Sequence, residues 1–87
     1  MNTLQATQTA RETLATILGV TVETIASCRK HDAGWTVELE VVETKARLAD
    51  NDMIAIYKVA LDTDGDVTEY VRTERYVRAN AAHVTAA

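Results

Sequence analysis

The chain has 87 residues, a net charge of −4 and 47% hydrophobic residues, which fits one domain with a modest core. An acidic total argues against a general nucleic-acid binder, which needs a basic footprint, and a lone cysteine, Cys28, excludes an internal disulfide and a thiolate metal cluster. No apolar run approaches the roughly 18 residues of a membrane span, and the start lacks the basic and apolar parts of a signal peptide, so no membrane contact is expected and the expected location is the cytoplasm.

Residues 3–18 read as an amphipathic helix. Leu4, Ala10, Leu14, Ile17 and Leu18 recur at three- and four-residue spacing on one side, and Gln5, Gln8, Arg11 and Glu12 form the solvated side. Thr3 is the expected N-cap, and Gly19 stands where a helix end favours positive φ. Residues 20–24 read as a connector and Ile25–Lys30 as a first strand, with a short helix over 21–27 as the competing reading. His31 to Gly34 supply a turn.

Trp35–Glu43 is the second strand. Trp35, Val37, Leu39 and Val41 point one way, while Thr36, Glu38 and Glu40 point the other, the alternation of a strand with one buried face. Residues 44–52 are polar and irregular. The third strand, Met53–Leu61, continues the core through Met53, Ala55, Tyr57, Val59 and Leu61. Its even face bears Ile54, Ile56, Lys58 and Ala60, which is not fully polar and therefore calls for a cover. An Asp-Gly turn at residues 62–66 leads into a fourth strand, Val67–Arg78, with Val67, Val71 and Val77 toward the core. Residues 79–87 read as a flexible tail. The predicted fold class is α+β, an N-terminal helix packed on one face of an antiparallel meander of three to four strands, all one domain over residues 1–87.

No catalytic constellation stands out. Asp62, Asp64 and Asp66 resemble a calcium loop, but Gly65 is fourth from Asp62 and the twelfth residue is Thr73, so the spacing is that of a solvated turn. His31 and His83 lie far apart without ligand spacing. Cys28 reads as a small buried thiol, and Ser27, the single serine, has no base at a recognisable spacing. Glu38 and Glu40 read as a charge ladder toward Lys58 and Arg72. No metal or cofactor is expected.

The distinctive feature is the last strand. Tyr70, Arg72, Glu74, Tyr76 and Arg78 are all even-numbered, so a regular strand puts them on one face. That face is readable as a protein–protein surface, as an RNA-stacking platform that the acidic total disfavours, or as an exposed strand whose arginines pair with the chain's own glutamates. On the first reading the partner-binding residues are Ile54, Ile56, Tyr70, Arg72, Tyr76 and Arg78, with Arg75 from the same basic block.

Two blocks, GWTVELEVVE (Gly34–Glu43) and IAIYKVALDTDGDVTEYVRTERYVR (Ile54–Arg78), resemble the gas vesicle protein GvpO family. The resemblance rests on Gly34-Trp35, on Val41-Val42-Glu43, on Tyr57, Val59, Leu61, Asp62 and Gly65, and on the closing Tyr70, Arg72, Arg75, Tyr76 and Arg78. It departs at Arg47-Leu48-Ala49, where members carry an Arg-Ile-Pro-like step and this chain has no proline. The resemblance implies a non-enzymatic accessory protein of gas vesicle assembly, cytoplasmic and vesicle-associated, that contacts other gas vesicle proteins; the Tyr/Arg face itself is expected to dock one of these or a second copy of the chain. A cystatin-like or PepSY-like inhibitory or ligand-binding module is the alternative that the helix-plus-meander shape allows.

Overall fold

A computed structural model describes residues 1–80 of the chain. Helix α1 spans Thr3–Leu18 and strands β1 to β4 span Thr21–His31, Gly34–Thr44, Met53–Leu61 and Val67–Val77. Short 3-10 turns at Ala49–Asn51 and Arg78–Asn80 flank β3 and end β4. The strands form one antiparallel sheet in the order β1-β2-β3-β4, so the expected α+β meander is the fold.

The helix begins one residue before the expected cap. Asn2 accepts the N–H of Gln5, and the Gln5 side chain accepts the N–H of Asn2, both within 2.9 Å. This reciprocal pair satisfies two donors that the first turn leaves open, and glutamine does here what the missing glutamate would do. At the other end Gly19 adopts φ 67° and donates its N–H to the Ala15 carbonyl, the left-handed cap its position suggested.

Ala6, Ala10 and Leu14 are the buried stripe of α1, and Leu18 packs partly against it. They meet Trp35, Val37, Leu39 and Val41 of β2 and Ala55, Val59 and Leu61 of β3. Two small alanines let the helix sit close to the sheet, which moves the stripe away from Leu4 and Ile17; both are exposed. The helix lies mainly over β1 and β2 and least over β3 and β4.

β1 is longer than the sequence suggested and begins at Thr21, which removes the helical reading of 21–27. Its β-branched residues Thr21, Val22, Thr24 and Ile25 lie opposite Val42, Val41, Glu40 and Leu39, an arrangement that favours strand over helix. Extra residues interrupt the ladder at Glu23 and Ala26 in β1, Glu43 in β2, and Thr68 and Thr73 in β4. Both edge strands are thus bulged, a common defence against edge-to-edge pairing. The two β4 bulges are threonines whose hydroxyls donate to β3 carbonyls: Thr68 to Ala60 and Thr73 to Ile56.

The bulge at Thr73 changes the reading of β4. Residues directly opposite each other in an antiparallel pair share a face. Tyr70 is opposite Val59 and Arg72 opposite Tyr57, which places both on the helix side. Beyond Thr73, Glu74 is opposite Ile56 and Tyr76 opposite Ile54, on the far side, while Arg75 is opposite the buried Ala55. The even-numbered residues therefore do not share one face. Val71, expected in the core, lies opposite Lys58 and is exposed. The flexible-tail expectation for 79–87 falls largely outside the described residues.

Candidate functional site

Chemistry-bearing side chains concentrate where β4 ends. On the helix side, Glu43 sits at the β2 bulge and takes two arginines: Arg75 Nε at 2.7 Å on one oxygen and Arg72 Nη1 at 3.1 Å on the other. The bulge positions both ends of this contact, because Thr73 sets Arg72 and Arg75, three residues apart, on the same side. Both arginines stay about half exposed, each at 49% of its side chain. Next to them the rings of Tyr57 and Tyr70 are tilted at 48° to each other with centroids 6.5 Å apart, within the separation at which aromatic pairs attract.

Arg78 makes a different arrangement. Its Nη1 and Nη2 donate to the two carboxylate oxygens of Glu23 at 3.0 and 2.8 Å, its Nη2 also to Asp52 at 3.2 Å, and its Nε to the Ala49 carbonyl at 3.0 Å. The Arg78 N–H donates to the Asp52 carbonyl. One guanidinium thus ties β1, the 49–52 turn and the end of β4 together, using the planar fork that suits bidentate carboxylate pairing. Asp52, only 4% exposed, also accepts the N–H of Ala46 at 2.8 Å. That N–H, followed by Arg78, holds its carboxyl below the ordinary 3.8 against the upward push of burial. The hydrogen bonds to Glu23 and Asp52 raise the pKa of the Arg78 guanidinium above its ordinary value.

The seven sequence-predicted site residues therefore separate. Tyr70, Arg72 and Arg75 form one surface on the helix side. Ile56 and Tyr76 lie on the other side of the sheet, where burial and the nearby Glu40 push the Tyr76 hydroxyl above its ordinary 10. Ile54, between Val42 and Tyr76, is 1% exposed and is part of the fold rather than of its surface. Arg78 is an internal clamp. Glu43 and Asp52 are not legible as partners in the sequence because their contacts, with Arg72 29 residues away and Arg78 26 residues away, leave no local spacing to read. Of the expected charge ladder, Glu38 does lie opposite Lys58, but Arg72 turns to Glu43 instead.

Other candidates are structural. The Asp62 carboxylate accepts the N–H groups of Asp64 and Asp66 at 3.0 and 2.9 Å, which makes the acidic turn a self-bonded hairpin loop. Among the described residues no group of three or more His, Cys, Asp or Glu is placed to hold a metal ion. Cys28 is half-buried against the core, and burial pushes its thiol above the ordinary 9.0. That is the reverse of what a reactive thiolate needs.

Comparison with known proteins sets these features in a family. The family model described as "Gas vesicle synthesis protein GvpO" matches residues 1–82. The chain belongs to the GvpO family. Gas vesicle protein O1 of Halobacterium salinarum is 40% identical over 77 residues, covering 87% of this chain and 65% of the relative. Gas vesicle protein O of Streptomyces sp. is 38% identical over 66 residues, covering 75% of this chain and 51% of the relative. The chain thus spans between about half and two thirds of the length of these GvpO-family relatives. No solved structure matches it significantly.

Proposed function

We propose that this chain is a non-enzymatic accessory protein of gas vesicle assembly that works by binding other gas vesicle proteins, without a cofactor, in the cytoplasm or on the vesicle. The observation that carries the reading is the family match over residues 1–82, and the names of both relatives place them with gas vesicles. The physical character of the domain supports it. Among the described residues its depressions are open to solvent, and its most distinctive surface is an edge strand, β4, exposed along most of its length. Tyrosine and arginine on such a strand supply rigid contact area and charge-assisted hydrogen bonds, the residues that dominate binding energy at interfaces.

The test is genetic. Deleting the gene that encodes this chain from a vesicle-forming cell should abolish or sharply reduce vesicles, scored by buoyancy and electron microscopy, and supplying the chain again should restore them. Normal vesicles in the deletion strain would refute the role.

A further inference from the structure

The binding role leaves open what kind of segment the chain would hold, and the helix side of β4 answers in chemical terms. We propose that the groove between α1 and β4 takes an acidic amphipathic segment of another gas vesicle protein, its apolar side on Ile17 and Tyr70 and a carboxylate on Arg72 and Arg75. This inference rests on the binding role proposed above.

The groove exists because α1 covers β1 and β2 more than β3 and β4. Thr13 and Ile17 of the helix and Val67, Thr68, Glu69 and Tyr70 of the strand line a depression of about 310 Å³, so the acidic docking point is the arginine end beyond Tyr70 and not the Glu69 end. Ile17 is 55% and Tyr70 39% exposed, so two large apolar surfaces face solvent across a short gap. Scattered exposed apolar residues are ordinary; a pair lining one groove beside a charged cluster is a more specific feature.

Charge selects the occupant. Arg72 and Arg75 share a single carboxylate, Glu43, which leaves one positive charge uncompensated. Arg72 uses only one terminal nitrogen and Arg75 only its Nε in these contacts, so each half-exposed guanidinium keeps N–H donors free for an incoming acceptor. Arg78, by contrast, commits four of its five side-chain N–H donors to Glu23, Asp52 and Ala49. By register the opposite face of the sheet carries Glu38, Glu40, Glu69 and Glu74 against Lys58 and Arg29, a net acidic surface that disfavours an acidic segment. In a chain of net charge −4, the Arg72/Arg75 end of the groove is a local positive site. Glu43 has a second part in this: it occupies the place a partner's carboxylate would take and competes with it.

The experiment co-expresses the affinity-tagged chain with each of the other gas vesicle proteins in turn and measures retention and affinity for wild type and four variants. Arg72→Gln/Arg75→Gln should weaken binding by about tenfold or more, as expected for a central charged anchor. Ile17→Asp, at an exposed position, should weaken it comparably with an unchanged melting temperature. Glu43→Gln should strengthen it, and Lys58→Gln on the far face should leave it unchanged. Binding to wild type should also weaken as salt rises from roughly 0.05 to 0.3 M. If wild type retains a partner and both the arginine pair and Ile17→Asp retain it equally, this groove is not the site, while the binding role stands. Tighter binding by Arg72→Gln/Arg75→Gln would show that the occupant is not acidic. A wild-type dimer in size-exclusion chromatography that Ile17→Asp dissociates would give the groove to a second copy and overturn the inference. If neither wild type nor Glu43→Gln retains any gas vesicle protein, both readings fall.

Discussion

Truncating Trp35 should cost more than any other single change in the core. The indole is 6% exposed, at the start of β2, opposite Leu61 of β3 and Lys30 of β1, and the Lys30 ammonium lies 5.7 Å from the ring centroid. A tryptophan side chain buries about 150–250 Å², which at about 25 cal/mol per Å² is roughly 4–6 kcal/mol of transfer free energy. The alanine methyl and the residual burial of an unfolded chain reduce this, and Trp35→Ala should cost about 3–5 kcal/mol. For a domain of this size each kcal/mol moves the melting temperature by roughly 4–8 °C, so a drop of roughly 12–40 °C is expected. Trp35 is the only tryptophan, so its fluorescence disappears with it, and thermal melts followed by far-ultraviolet circular dichroism are the suitable assay. A drop of less than about 4 °C, under 1 kcal/mol by the same conversion, would show that the indole is not part of the core and that the face assignment of β2 is wrong.

Two further perturbations follow from local geometry. Gly34 has φ 140°, and a Cβ built there falls on the Leu61 carbonyl, so Gly34→Ala must displace backbone and should destabilise by more than about 1 kcal/mol in urea unfolding; an unchanged midpoint would mean that the hairpin relaxes freely. Asp52 has a folded-state pKa below its ordinary value, so its contribution to stability is complete above the unfolded value and is lost as pH falls through the folded one. Melting temperatures should therefore decline below about pH 4. Asp52→Asn should be less stable at neutral pH and decline less steeply on acidification; parallel curves for the two proteins would contradict the assignment.

The parts of the fold that follow simple periodicity were legible, and the parts that depend on its interruption were not. β2 and β3 are central and mostly regular, so the alternation from Trp35 to Val41 and from Ala55 to Leu61 gave their buried faces correctly. Gly19 announced the helix end because positive φ has few other tenants. β4 failed at Thr73, where nothing in Arg72-Thr73-Glu74 marks an extra residue: there is no glycine, and threonine is an ordinary strand residue. One unmarked bulge was enough to divide an apparent Tyr/Arg face between the two sides of the sheet. The third reading of that face, arginines satisfied by the chain's own acids, applies fully to Arg78 and only partly to Arg72 and Arg75. Which acids they meet could not be read, because Glu23 and Arg78 are 55 residues apart and come together only through the order of the strands. The buried stripe of α1 was misjudged toward large residues, since alanine carries a weak hydrophobic signal yet allows the closest helix–sheet approach.

The central claim is that this GvpO-family chain acts by binding other gas vesicle proteins, and pairwise co-purification tests it most directly. The tagged, folded chain is expressed with each other gas vesicle protein singly and recovered at near-physiological salt. The account predicts stoichiometric retention of at least one of them. A chain that melts cooperatively yet retains none, while restoring vesicles in a deletion strain, would contradict it.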